Sequence, residues 1–217
     1  MIAQIHGAHD VFVDGVATED HVRPALRGHT MLHFAAHGRL DDIAPNASSI
    51  VLAGRDELTV SDLIGLHLDA DLVVLSACDT GRGTTTLGGD LIGLARGLLA
   101  AGAKRSVVSL WPVDDVAACV TMVAFHTRLK EGIDPARALA LAQRELRGLS
   151  GEAIAERYRE LGGTLASGSR AVRRIGAETS RRLGAFPESD FEYDEETVSE
   201  NDGARTSVWA PFVLIGG

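Results

Sequence analysis

The chain has 217 residues, of which 45% are apolar and 24% are charged, so it is long enough to bury one large core and predicts a single α/β domain. It contains no run of about 18 or more uninterrupted apolar residues, and the amino terminus MIAQIHGAHD lacks the basic and apolar regions of a secretion signal. We therefore predict a cytoplasmic protein with no membrane partner. The net charge of −9 argues against a nucleic-acid partner held mainly by phosphate contacts.

The chain has two cysteines, Cys78 and Cys119. They allow at most one disulfide, far below the density of a secreted stapled domain, and a reducing cytosol would keep both as free thiols. Cys119 lies among apolar residues in VAACVTMVAF, in the middle of a predicted helix, and is predicted to be structural. Taken alone, a cysteine that follows an apolar strand, as Cys78 does, is more often a packing residue than a nucleophile.

Aliphatic and β-branched segments alternate with longer stretches of helical periodicity, which predicts a mainly parallel sheet with helices on its faces. The first predicted strand covers residues 30–36 (TMLHFAA). Residues 50–53 and 57–60 predict a hairpin joined by GRD. After it, Ser61 and Asp62 are predicted to cap a short helix, DLIGL.

The second core strand is predicted at residues 72–76, where the run is almost continuously apolar, as is typical of a strand buried on both faces. A glycine- and threonine-rich loop follows at residues 81–89. A helix with one apolar face is predicted at residues 90–101, ended by Gly102. The third core strand is predicted at residues 106–110.

Two further helices are predicted at about residues 116–130 and at residues 135–146, the second with proline in its first turn. The composition then changes to polar and basic, and later to strongly acidic, before strand-like character returns at residues 208–215. We predict a helical insertion with an acidic loop at about residues 148–207, between the last core helix and the last core strand.

Candidate reactive groups follow the predicted core strands. In parallel sheets, reacting groups gather at the carboxyl edge, where strands end and loops begin. Three predicted strands bring side chains to that edge: His37 with Gly38, Cys78 with Asp79, and Trp111 with Asp114 and Asp115.

A histidine and a cysteine at one edge are sufficient for thiol acyl transfer. The imidazole accepts or relays a proton, the thiolate attacks a carbonyl, and backbone N–H groups hold the oxyanion. If the first two core strands are parallel and adjacent, as right-handed crossovers favour, His37 and Cys78 reach the same edge. Gly38 allows close backbone approach, and its N–H is a natural oxyanion donor beside that of Cys78.

Other interpretations of these segments are weaker. The triplet DTG also occurs in aspartic proteases, but those chains are mainly β with paired triplets. The loop GRGTTTLGG resembles a phosphate cradle but lacks the lysine and the serine or threonine of a P-loop. His33 is predicted to be a hydrogen-bonded core or face residue, and one of Asp114 and Asp115 is predicted to cap the following helix.

Together these segments resemble the CHAT domain, a caspase-like cysteine peptidase family related to separase and found mostly in bacteria. The resemblance is carried, in the family's order, by HFAAHG, VLAGRDELTVSDLIGL, LVVLSACDTGRG, LIGLARGLLAAGAKRSVVSLWPVDD, ARALALAQREL and WAPFVLIGG. The combination of HFAAHG, LSACDTG and SLWPVDD is much more specific than any one of its parts.

The resemblance implies a caspase-like three-layer α/β sandwich, with a mainly parallel central sheet and helices on both faces. It implies that His37 is the general base or proton relay, that Cys78 is the nucleophile and that Gly38 contributes to the oxyanion hole. It also implies hydrolysis of peptide bonds without a metal or an organic cofactor. In separase-like relatives an acidic residue after the tryptophan-containing strand binds a basic P1 side chain, a role that falls on Asp115 first and Asp114 second.

Ser76 and Asp79, which flank the Cys78 segment, are also assigned to substrate binding. Members of the family usually open with a strand and a helix before the segment HGAHDVFVDGVATEDHVRPAL, so we expect an amino-terminally short single domain over residues 1–217. Such domains are often controlled by partners or by fused repeat and sensor modules, so we expect a protein substrate and a regulatory protein partner.

The leading hypothesis is therefore a cysteine endopeptidase that cleaves a protein after a basic residue. The alternative is a catalytically inactive or partner-dependent caspase-like binding module. A small-molecule thiol hydrolase is a third hypothesis, for which no pocket-specific motif is present.

Overall fold

A computed structural model describes residues 1–7, 10–39, 41, 43–76, 89–110, 113–166 and 211–216. In these residues the strands are β1 (Met31–Phe34), β2 (Gly38–Arg39), β3 (Ser49–Val51), β4 (Glu57–Thr59), β5 (Leu72–Leu75), β6 (Arg105–Ser109) and β7 (Phe212–Gly216). The helices are α1 (Ile2–His6), α2 (Glu19–Ala25), α3 (Val60–Ile64), α4 (Gly89–Ala100), α5 (Asp115–Lys130), α6 (Pro135–Arg147) and α7 (Gly151–Ala166). Two short 3-10 turns lie at Asp14–Val16 and Pro45–Ala47.

The larger sheet has the strand order β1-β5-β6-β7. β5 is parallel to β1 on one side and to β6 on the other, and β7 pairs antiparallel to β6. The fold is therefore mixed α/β with a mostly parallel sheet, as the alternation of strands and helices predicts. Because β1, β5 and β6 are parallel neighbours, their carboxyl ends meet at one edge of the sheet.

β5 is buried on both of its faces. Its four residues are all buried, and successive side chains point to opposite faces. Val73 and Leu75 belong to a core cluster that includes residues of α3 and α4, whereas Leu72 and Val74 belong to a second cluster with residues of α5 and α6. The uninterrupted apolar run LVVL is thus needed because both sides of this strand lie in a core.

The smaller sheet has the order β2-β3-β4 and is antiparallel. The predicted hairpin is confirmed as β3 and β4. β2 was not predicted, because a two-residue strand has no hydrophobic pattern. Its ion pair between Arg39 and Glu57 and its pairing of Gly38 with Ile50 attach it to the hairpin.

The start of α3 differs from the prediction. Thr59, and neither Ser61 nor Asp62, is the N-cap residue. The Thr59 hydroxyl accepts a hydrogen bond from the Asp62 N–H at 3.0 Å, and the Asp62 carboxylate accepts one from the Thr59 N–H at 3.0 Å. This reciprocal capping box satisfies two helix-end donors at once, so the helix begins directly at the end of β4.

The predictions for α4, α5 and α6 are confirmed to within a residue or two. Asp134 caps α6 by accepting from the Ala136 N–H at 3.0 Å, and Pro135 occupies the first turn. After α4, Gly102 adopts a φ of +113°, and a Cβ there would lie 2.3 Å from the Leu68 carbonyl oxygen. Only glycine fits this turn between α4 and β6.

The first part of the predicted insertion at residues 148–207 is α7, which packs on α5 and α6. Ala117, Val120, Leu146 and Ile154 form this contact. The acidic loop lies outside the described residues. Across the part of the chain that the structure describes, no helix has the length and apolar character needed to cross a membrane.

Candidate active site

The ends of β1 and β5 bring the predicted dyad segments together. Phe34 and Leu75, the last residues of these two strands, are register partners. His37 follows Phe34 by three residues, and Cys78 follows Leu75 by three residues. The parallel and adjacent arrangement that the prediction required is therefore present. Cys78 itself, together with Asp79, lies outside the described residues.

His37 lies at the junction between the two sheets. β1 ends three residues before it, and β2 begins immediately after it. Its carbonyl oxygen accepts a hydrogen bond from the Val51 N–H of β3 at 2.8 Å. The side chain is exposed. The backbone of the histidine is thus held while its ring remains accessible to solvent and to a substrate.

Gly38 is buried and pairs with Ile50. The hydrogen bond from Val51 N–H to the His37 carbonyl makes Gly38 and Ile50 a non-hydrogen-bonded pair of the antiparallel ladder. The Gly38 N–H therefore points away from β3 and does not take part in that ladder. This orientation leaves the N–H available for the oxyanion role predicted for it.

The two aspartates that follow β6 have different positions. Asp114 is the N-cap of α5 and accepts from the N–H groups of Val116 and Ala117, both at 3.0 Å, so the predicted cap is Asp114. Asp115 is the first residue of the helix and is exposed. Among the described residues its carboxylate has no ion-pair partner. Trp111 lies outside the described residues.

Ser76 lies at the carboxyl end of β5 and is half-buried. Its hydroxyl is 3.1 Å from His33 Nε2 and donates to the Phe34 carbonyl at 3.3 Å. The Ser76 hydroxyl therefore forms hydrogen bonds that join the end of β5 to β1. Its assignment to substrate binding stays a prediction.

His33 is hydrogen-bonded, as predicted, but its partners include a histidine that sequence analysis missed. His33 Nδ1 lies 2.9 Å from Nε2 of His126, which is fully buried on α5, and His126 Nδ1 lies 3.0 Å from His6 Nε2. Burial lowers the pKa of His33 to about 4 and that of His126 to about 3, and it also lowers the pKa of His6. The sequence feature that could have pointed to His126 is a lone histidine in the otherwise apolar VAFH segment.

Cys119 lies on α5 as a free thiol. Burial raises its pKa to about 11, so the thiol is protonated at neutral pH and is a poor nucleophile. The prediction that Cys119 is structural agrees with this environment.

The fold and the strand ends define a class: a mixed α/β domain in which an exposed histidine and, in the sequence, a cysteine follow paired parallel strands. The family model of the CHAT domain matches residues 1–217, and the chain belongs to this family. CHAT domains are related to cysteine peptidases and are caspase-like in fold.

Among curated proteins the chain is similar to tetratricopeptide repeat protein 28. The mouse protein is 39% identical over 87 residues, and the human protein is 38% identical over 87 residues. Each match covers 40% of this chain but only 4% of the length of the relative. The likeness thus concerns one short region of a much longer protein.

Proposed function

We propose that this chain is a cysteine endopeptidase of caspase-like three-layer architecture that hydrolyses a protein substrate after a basic P1 residue. The observation that carries the proposal is the parallel register of β1 with β5, in which Phe34 pairs with Leu75. β1 and β5, which His37 and Cys78 follow in the sequence, end side by side at the edge where α/β proteins place their reacting groups.

The reaction that these residues support is an acyl transfer. His37 accepts the proton of the Cys78 thiol, and the thiolate attacks the scissile carbonyl carbon. The Gly38 N–H donates to the developing oxyanion. His37 then protonates the leaving amine, and water hydrolyses the thioester to release the acid and regenerate the thiol. No metal or organic cofactor takes part in these steps.

The two cysteines provide an internal control for the reactivity of Cys78. A thiolate activated by His37 should be alkylated by iodoacetamide at pH 6, well below the usual cysteine pKa of about 8.5. Cys119, with its pKa of about 11, should remain unmodified. We expect peptide mapping by mass spectrometry to find the label on Cys78 alone, at a rate that His37→Gln lowers by at least about tenfold.

A Cys78 that reacts at pH 6 no faster than Cys119 would contradict the dyad. The chain would then be better described as a caspase-like binding module. A fast reaction that survives His37→Gln unchanged would contradict the role of His37 and leave the thiol activated by another group.

Specificity for a basic P1 side chain is assigned to Asp115. Its carboxylate is exposed beyond the end of β6, whereas that of Asp114 is engaged by two backbone N–H groups. Asp115→Asn should cost about 2 to 5 kcal/mol of transition-state stabilisation for arginine and lysine substrates, the usual effect of removing one partner of a desolvated charge pair. The measurement is kcat/KM for matched peptides with basic and neutral P1 residues.

Asp114→Asn is the matched control for this substitution. Asparagine is as good an N-cap as aspartate, so this variant keeps the cap and should retain most of the wild-type kcat/KM. A loss in Asp114→Asn with none in Asp115→Asn would move the specificity role to Asp114.

We propose a cytoplasmic location, where both thiols stay reduced, and control by a protein partner or by an attached module. The mouse and human relatives are named tetratricopeptide repeat protein 28. This name supports control by an attached module, because it associates a region similar to this chain with repeats.

A further inference from the structure

Three histidine rings form one hydrogen-bonded chain through the interior. His6 Nε2 lies 3.0 Å from His126 Nδ1, and His126 Nε2 lies 2.9 Å from His33 Nδ1. His33 Nε2 then lies 3.1 Å from Ser76 Oγ. The chain joins α1, α5 and β1 to the residue that follows β5. The rings are thus hydrogen-bond partners for one another.

The direction of the chain is set at its inner end. The Phe34 carbonyl can only accept, and the Ser76 hydroxyl donates to it at 3.3 Å. With the hydroxyl proton on this bond, Ser76 Oγ accepts from His33 Nε2–H, and His33 Nδ1 is left as an acceptor. The same reasoning places a proton on Nε2 of His126, and then on Nε2 of His6. In this direction all three rings share one tautomer.

This chain fixes the relative position of two strand ends. Ser76 is held by its N–H, which donates to the Phe34 carbonyl at 3.0 Å, by its hydroxyl on the same carbonyl, and by His33. Ser76 lies two residues before Cys78, and Phe34 lies three residues before His37. The two residues that this chain holds together thus precede the proposed nucleophile and the proposed base in the sequence.

We propose that His33 is a positioning residue for the peptidase reaction. Through Ser76 it holds the carboxyl end of β5, from which Cys78 follows, against the carboxyl end of β1, from which His37 follows. His126 and His6 hold His33 in the tautomer that can donate to Ser76. This inference rests on the proposed function, and it assigns the Ser76 hydroxyl to the framework of the site and not to the substrate.

A double-mutant cycle in the full chain tests the proposal. His33→Phe keeps a ring but removes the donor, and Ser76→Ala removes only the hydroxyl. Each should lower kcat about tenfold, the usual effect of losing one buried hydrogen bond, and should leave KM within about twofold. Because both residues act through the same bond, the double variant should lose no more than about tenfold as well.

Two variants separate positioning from general damage. His33→Gln retains an amide that can donate to Ser76 and should recover part of the lost kcat. His29→Gln changes a half-exposed histidine just before β1, where it pairs with Asp10, and should leave kcat unchanged. Ser76→Ala, the smallest change, keeps the test valid if His33→Phe does not fold.

The outcomes distinguish the possible failures. If the losses in kcat of the two single variants multiply to about a hundredfold in the double variant, His33 and Ser76 act independently. If a rise in KM accounts for the whole effect of Ser76→Ala, the hydroxyl binds substrate. Either result overturns the inference while leaving the peptidase in place. A wild type with no turnover and an unreactive Cys78 overturns the proposed function, and the inference with it.

The tautomers of the His33 and His126 rings can be measured independently of activity. Nitrogen-15 NMR of the histidine rings at pH 7 should show His33 and His126 as neutral rings protonated at Nε2. Protonation at Nδ1 in either ring would break the direction of the chain and contradict the positioning role of His33.

Discussion

Replacing Cys78 with alanine is expected to abolish the hydrolysis of arginine- and lysine-directed fluorogenic peptides, with a loss in kcat of more than about a thousandfold. The alanine has no nucleophile, and water that attacks the same carbonyl gains only from substrate binding and oxyanion stabilisation. The measurement is the turnover of a peptide panel by the wild type and the variant at equal folded concentration.

Cys119→Ala is the control for the loss of a thiol. Cys119 lies in the interior of α5, where alanine is a better helix former than cysteine, so this variant should keep the wild-type turnover. Equal turnover by the wild type and by Cys78→Ala would remove Cys78 from the mechanism. If neither the wild type nor Cys78→Ala hydrolyses the peptides, while Cys78 of the wild type is still alkylated at pH 6, the result would favour dependence on a partner.

Acidification from pH 7 to pH 5 is expected to lower the free energy of unfolding by about 2 kcal/mol for each of His33 and His126. The pKa values of His33 and His126 in the folded protein, about 4 and about 3, lie below the value of 6.5 in the unfolded chain. Between these limits the unfolded state binds protons that the folded state does not. The stabilisation is complete above about pH 6.5 and falls as the pH falls.

Urea unfolding at a series of pH values measures this loss. Ordinary carboxylates remain largely ionised down to pH 5, and hydrogen bonds from Thr59 lower the pKa of Asp62, so its capping box persists over this range. His126→Gln should flatten the pH dependence. An unfolding free energy that stays constant between pH 7 and pH 5 would show that the buried rings accept protons without cost.

The strands and long helices could be predicted because their burial leaves a pattern in the chain. LVVL is apolar at every position because both faces of β5 are covered, and the sequence Asp134-Pro135 provides both a cap and a first-turn residue for α6. The short elements could not be predicted in this way. α1 has five residues and no periodicity, and its packing on α5 includes the contact between His6 and His126.

For the candidate site, the sequence could predict which strand each residue follows. His37, Gly38 and Asp115 follow their strands as expected, because parallel strands deliver their carboxyl ends to one edge. The meeting of the His37 ring with Cys78 remains a prediction, as does the insertion beyond α7. The histidine chain was missed because it depends on pairing between residues 93 and 120 positions apart, which no local pattern records.

The attachment of His37 to two sheets has a consequence for control. β2 starts at the residue after His37, so no loop separates the smaller sheet from the proposed base, and the two share one stretch of backbone. The hairpin turn at Gly54 and Arg55, which is exposed, lies at the same end of that sheet as His37, because it follows Val51 by three residues. A partner that bound this turn and tilted the smaller sheet would displace the proposed base through the shared backbone, and activity would respond to an event at the surface.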